Sequence, residues 1–327
     1  MKTVAFFNNK GGVGTTSLVY HLAWMCADHG IPTLAVDLDP QANLTAMFLE
    51  ETRLEALWPD GDHPDTVFGS IRPILRGVGD IANPHVECIR EHLGLIPGDL
   101  GLSRFEGKLS DAWPRCHNRD ESAFRTMTAF HRLIRAGATD GVELVLIDVG
   151  PNLGAINRAA LIASDQVCIP LAPDLFSLQG LKNLGPSLRE WGQIWADLVP
   201  KAPTGLSVPR GTMQPIGYIV MQHGLRDSRP VLAYKRWMDL IPGIYRDAVL
   251  DEKPSPGVAV DNDPHCLALL KHYRSLMPMA MTARKPMYFL KSADGAIGAH
   301  GEAVRSCYRD FERLAIAITA RAGIPFV

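Results

Sequence analysis

Short apolar runs recur along the chain, and each is followed by a segment long enough for a helix. Thr3-Val-Ala-Phe-Phe7, Pro32-Thr-Leu-Ala-Val36, Leu93–Pro97, Leu144–Ile147, Val167–Leu171 and Ile216–Met221 are continuously apolar rather than alternating. Strands that are apolar on both faces are covered on both faces, which is the pattern of parallel strands in an α/β sheet. Between the runs, apolar residues at helical spacing predict helices at 18–27, 102–109, 123–136, 155–163, 178–195 and 231–241. Near the C-terminus, Val304, Cys307, Tyr308, Phe311, Leu314, Ala315 and Ile318 form one stripe, with Arg305, Arg309 and Arg313 elsewhere. That stripe predicts a helix over about 297–322 docked on the sheet; the competing reading is a helix lying on a membrane surface. The whole pattern predicts one doubly wound α/β domain over residues 1–327, its sheet mainly parallel, with a C-terminal elaboration. Asp251 to Pro264 reads as an irregular loop that opens an inserted segment of about 251–292.

Composition narrows the picture only modestly. The 327 residues are 46% hydrophobic, and 33 Lys and Arg face 35 Asp and Glu, a formal balance of −2. Disorder, collagen and coiled coil are excluded. The six cysteines, at positions 26, 88, 116, 168, 266 and 307, form no CxxC pair, so they read as reduced thiols. No run of about 18 apolar residues is present, so no membrane span is expected and the chain is placed in the cytoplasm.

The chemistry concentrates at the end of the first strand. Asn8-Asn-Lys-Gly-Gly-Val-Gly-Thr-Thr-Ser17 is a glycine-rich turn between a strand and a helix. Gly11, Gly12 and Gly14 let backbone N–H groups converge on an anion, to which the following helix adds its positive end. Thr16 stands where a phosphate loop places a Mg²⁺-binding hydroxyl. The bland alternative, a turn that only brings strand and helix close together, leaves Lys10 without a purpose.

Lys10-Gly-Gly-Val-Gly-Thr-Thr16 resembles the KGGxGK[ST] loop of the ParA/MinD-type deviant Walker ATPases, a P-loop NTPase family. Val36-Asp-Leu-Asp-Pro-Gln-Ala-Asn-Leu-Thr45, Leu93–Pro97, Leu144–Asp148 and Gln166–Pro173 follow in that family's order. The resemblance covers residue 1 to about 184. It implies ATP and Mg²⁺ as ligands, held by Lys10, Gly11, Gly12, Val13, Gly14, Thr15, Thr16 and Ser17. It further implies a homodimer formed on ATP binding, in which Lys10 reaches the partner's nucleotide. By the same resemblance Asp39 orients the attacking water, Asp37 lies nearer the metal, and Asp148 holds Mg²⁺ through water. Function follows as a switch that positions or partitions DNA or a protein cargo, with slow or partner-stimulated ATP hydrolysis.

Two departures and one basic segment qualify that reading. Thr15 stands where the family has the lysine that neutralises a subunit's own phosphates, and Val149-Gly-Pro151 replaces the usual Thr-Pro-Pro or Ser-Pro-Pro turn. Thr15 supports an alternative of another class, a nucleotide-binding adaptor of a secretion or defence assembly that does not hydrolyse. From His265 to Ala293 the chain carries Lys271, Arg274, Arg284, Lys285 and Lys291, with no Asp or Glu and with aromatics interleaved. That composition suits non-specific DNA or an acidic partner protein; the equal alternative is a solvated basic face. His265, Cys266 and His272 match no common zinc spacing.

Overall fold

The computed structural model describes residues 1–138, 141–221, 231–253, 257–273 and 275–326, the side chains of 231–234 aside. The chain opens with β1 (Lys2–Phe6), α1 (Thr15–Asp28) and β2 (Thr33–Asp37), followed by three short helices, α2 (Asn43–Phe48), α3 (Glu51–Leu57) and α4 (Val67–Arg76). A hairpin of β3 (Glu87–Arg90) and β4 (Leu93–Ile96) leads to α5 (Phe105–Arg115), α6 (Glu121–Met127) and α7 (Ala129–Gly137). Then come β5 (Leu144–Asp148), α8 (Ala155–Ile162), β6 (Gln166–Leu171), α9 (Leu175–Leu198), β7 (Gln214–Val220) and α10 (Val231–Ile244). The last part holds β8 (Cys266–Leu269), α11 (Leu276–Ala283) and α12 (Ala299–Ala322).

The eight strands form one sheet in the order β3-β4-β2-β5-β1-β6-β7-β8, and every pairing except β3 with β4 is parallel. This is the doubly wound α/β fold that the apolar runs predict. Successive strand residues feed opposite cores: Ala5, Val36, Val145 and Ile147 face α4 to α10, whereas Val4, Phe6, Ala35 and Leu146 face α1, α2, α11 and α12. α12 buries Cys307, Phe311, Leu314, Ala315 and Ile318 in the second core, so it is docked on the sheet.

Several local expectations are corrected. The helix expected over 123–136 is two helices, because Thr128 leaves helical geometry (φ −94°, ψ 4°) and turns its hydroxyl back onto Phe124 O at 2.7 Å. The segment expected as an insertion supplies β8, an edge strand of the main sheet beside β7, and α11, which covers α1. β3 and the helices α2–α4 add to the expected pattern; α4 carries Pro73 inside it yet is held by Thr66 at its N-cap and by left-handed Gly77 after its end.

One buried residue ties the N-terminal helix to the C-terminal third. The His21 ring, fully buried on α1, donates from Nδ1 to Ser17 O at 2.6 Å and accepts at Nε2 from the Met287 N–H at 3.1 Å. It stacks on Phe311, with ring centroids 5.0 Å apart. The bond accepted at Nε2 requires the neutral ring, and burial lowers its pKa from 6.5 to about 4 against the opposing pull of Ser17 O. The unfolded chain takes up a proton as pH falls through 6.5, whereas the folded chain does so only near 4. The contribution of His21 is therefore complete above about pH 6.5 and is lost as pH falls toward 4. His21→Leu should melt at lower temperature than the parent at pH 7.5, by about 1–3 kcal/mol, and the gap should narrow on acidification to pH 5. A gap that stays constant across that range in thermal melts would refute the assignment.

Candidate functional site

β1, β2 and β5 end at the same level, because Phe6 and Asp37 both pair with Asp148 across the sheet. From that level the chain after β1 turns through the glycine loop into α1. Gly12 and Gly14 hold φ of 76° and 96°, which non-glycine side chains rarely adopt, and Gly14 is the N-cap of α1. No side chain caps this helix and no acidic residue occupies its first turn, so its leading N–H groups are open to an anion. Asn8 braces the loop, donating from Nδ2 to Pro170 O at 2.5 Å and accepting from Lys10 N at 3.0 Å.

The loop forms one wall of a cavity of about 650 Å³. Lys10, Gly11, Gly12, Val13, Gly14, Thr15, Thr16 and Ser17 all line it, with Asp39 from the end of β2 and Val149 and Pro151 after β5. The opposite wall is α11 and its end: Met277, Ala280, Met281, Arg284 and Lys285. A continuous cradle thus joins the phosphate-binding loop to part of the basic segment.

The three carboxylates have different roles. Asp37 is fully buried, and its Oδ2 accepts from both Thr45 N (2.8 Å) and Thr45 Oγ1 (2.7 Å), which fastens α2 beneath the site. Burial raises its pKa to about 7 despite those bonds. Asp39 lines the cavity, bonds Gln41 N through Oδ1 at 3.0 Å, and is also shifted upward by burial. Asp148 is fully buried, and neither of its oxygens has a hydrogen-bond partner among the described residues. Burial, reinforced by the Asp37 charge, pushes it well above the usual carboxylate range, while the Thr16 hydroxyl pulls the other way. The Oδ2 of Asp37 is thus directed to the backbone and hydroxyl of α2, and its Oδ1 accepts from Asp39 N at 3.3 Å.

An unpartnered buried carboxylate facing a threonine hydroxyl, with carboxylates crowded around it, fits a divalent cation. Among the described residues no group of three His, Cys, Asp or Glu side chains could hold a metal alone. Mg²⁺ suits such a sparse set, since it keeps waters and takes phosphate oxygens as ligands. Asp148 and Thr16 would hold it.

Lys10 turns toward its own chain. Its ammonium pairs with Asp174 and sits 6.0 Å from the centre of the Phe176 ring. Asp174 escaped the sequence reading; the signal was there, since it precedes an apolar helical pattern and N-caps α9 through Ser177 N at 2.9 Å. The remaining basic candidates are dispersed. Lys271 bonds Ser306 Oγ at 2.5 Å, and Lys285 bonds both oxygens of Asp294, at 2.8 and 2.7 Å. Arg284 donates to Leu49 O at 2.6 Å, the Lys291 backbone N–H donates to Asp294 Oδ2 at 2.8 Å, and Arg274 lies outside the described residues. The acid-free stretch ends one residue before Asp294, which answers part of its charge.

Fold and loop together define a P-loop α/β protein. The family described as AAA domain matches residues 1–194. The chain belongs to it, among the ParA-like P-loop ATPases. Protein IncC of Escherichia coli is 31% identical over 185 residues, which cover 56% of this chain and 44% of IncC. The virulence plasmid ParA family protein pGP5-D of Chlamydia psittaci is 30% identical over 185 residues, covering 56% and 62%. The chain therefore spans less than two thirds of the length of these relatives, 44% of one and 62% of the other. Among solved structures, protein DIP2308 of Corynebacterium diphtheriae superposes with a TM-score of 0.71 at 22% identity, over 98% of both chains. The ATP complex of a Cyanothece McdA variant does so at 0.60 and 16%, over all of this chain and 98% of that one. These likenesses establish the fold.

Raised carboxylate pKa values carry a stability cost with a definite sign. A folded chain that keeps a proton on Asp148 loses stability as pH rises from the ordinary carboxylate range through the raised value. Asp148→Asn should remove that decline, so that without ligand it is at least as stable as the parent at pH 8. Melts at pH 5 and pH 8 check this; a variant that loses as much stability as the parent over that interval would contradict it.

Proposed function

We propose that the protein is a nucleotide-dependent switch of the ParA/MinD type, which binds ATP with Mg²⁺, dimerises on doing so and positions DNA or a protein cargo. The observation that carries it is the cavity joining uncapped α1 amides to Asp39, with the unpartnered Asp148 behind Thr16. The loop amides take the phosphates, and Asp39 holds and orients a water at the rim. A bound Mg²⁺ supplies charge neutralisation to the phosphates. Thr16 and Asp148 fix its place.

Lys10 fits the dimer reading because its charge lies at the exposed face rather than deep in its own loop. Beside it Phe176 is 71% exposed, giving that face an apolar contact for a second copy. On ATP binding, Lys10 exchanges Asp174 for the partner's phosphates. Thr15 favours the second reading, binding without turnover: no lysine of the loop other than Lys10 faces the cavity, so a subunit neutralises its own phosphates weakly.

Sedimentation and phosphate release separate these. The parent should shift to a dimer with ATP and Mg²⁺, and Lys10→Ala should remain monomeric while keeping most of its nucleotide affinity. Asp39→Ala should reduce phosphate release by about 10²-fold or more, the size expected when a positioned proton acceptor is lost. Phosphate release that ignores Asp39 would sink the switch in favour of the adaptor; dimerisation that ignores Lys10 would sink the proposed exchange.

A further inference from the structure

The turn after β5 runs from Asp148 past Asp39, and within it Asn152 Oδ1 accepts from Gly154 N at 2.8 Å. It runs Val149-Gly-Pro-Asn-Leu-Gly154 and enters α8 at Ala155. Gly154, the N-cap of α8, has no side chain to satisfy the helix's first amides, and the first turn carries no acidic residue. The carboxylate that does so comes from α5, 49 residues earlier: Glu106 Oε1 accepts from Ala155 N at 2.6 Å and Oε2 from Ile156 N at 2.9 Å. Both oxygens are engaged, at the positive end of the helix.

The contact admits little substitution on either side. A Cβ at Gly154 would stand 2.7 Å from Glu106 Oε1, so glycine is what lets the carboxylate reach the amides. From the helix held in this way, Asn157 Nδ2 donates back to Gly150 O and to Asn152 O, each at 2.6 Å. Gly150 in turn abuts Asp39, since a Cβ there would lie 3.1 Å from Asp39 Oδ1. Pro151 abuts the loop, 3.6 Å from where a Cβ on Gly11 would be. One path of contacts therefore runs from Glu106 through the first turn of α8 and Asn157 to the turn that separates Asp148, Asp39 and the phosphate loop.

We propose that Glu106 is a positioning residue of the nucleotide site: it fixes the Val149–Gly154 turn and thereby sets Asp148 and Asp39 against the loop. It touches no ligand, and its effect passes through peptide groups. The inference rests on the nucleotide reading given above.

The test measures ATP affinity with and without Mg²⁺, by calorimetry, for the parent, Glu106→Ala and Glu106→Gln, with thermal melts alongside. Amide hydrogen exchange of the peptide covering residues 150–157 is followed in the ligand-free protein. Glu106→Ala should keep metal-free ATP affinity within about twofold of the parent, lose at least fivefold of the Mg²⁺-dependent gain, and exchange faster across 150–157. Glu106→Gln keeps one acceptor oxygen and should recover part of both. If the parent binds ATP with a Mg²⁺ gain and folded Glu106→Ala retains that gain in full, the inference is wrong and the nucleotide reading stands. If Glu106→Ala melts too early to measure, Glu106→Gln decides, and an unchanged Mg²⁺ gain with unchanged exchange overturns the inference. A parent that binds no ATP at all overturns the nucleotide reading first, and this inference with it.

Discussion

The architecture turns on two carboxylates placed side by side at the ends of neighbouring buried strands. Asp37 and Asp148 are paired in register, both are fully buried, and the Asp37 charge adds to the cost of ionising Asp148. Two like charges in that position are unfavourable unless something positive arrives or one of them is neutralised. The chain solves half of the problem internally, giving Asp37 the amide and hydroxyl of Thr45, and Thr45 Oγ1 accepts in its turn from Gly98 N at 2.7 Å. Asp148 is left without such partners, which is an imbalance that a ligand carrying its own cation removes.

Positive charge around the cavity is arranged on a different principle. Lys10 is matched by Asp174 and Lys285 by Asp294, so neither ammonium stands alone. The amides of the glycine loop and first turn of α1 carry partial charge that no acidic side chain answers. An anion entering the cavity would meet fixed dipoles first, and the lysines would join it only by exchanging partners. With Thr15 in place of a lysine, the loop depends on this peptide-based attraction more than a fully charged loop would.

Much of this was legible in the sequence because it rests on short-range rules. Continuous apolar runs gave parallel strands, glycines between strand and helix gave the loop, and Asp39 and Asp148 stand at strand ends where the motif order placed them. What escaped depends on contacts distant along the chain. The capping of α8 by Glu106 and the pairing of Lys10 with Asp174, 164 residues apart, follow no local periodicity. β8 was hidden for another reason: Cys-Leu-Ala-Leu is too short to separate from a loop, and only its place beside β7 makes it a strand. The fastening of Asp37 to Thr45 also escaped, because local spacing does not show the chain folding back over that carboxylate.

The walls of the cavity come from widely separated segments of the polypeptide, and this bears on when the site comes into being. Residues 10–17 supply the loop and residues 277–285 the facing wall, and the N–H of Met287 that locks onto His21 lies 266 positions away. During synthesis the loop leaves the ribosome well before the residues that cover it. At about 5–20 residues per second, that interval lasts on the order of ten seconds or more. Through that time the glycine loop lacks its α11 wall, and His21 lacks its acceptor role. A nascent chain consequently cannot form the complete cavity until residues 277–285 have been made, and any assembly that requires it waits until then.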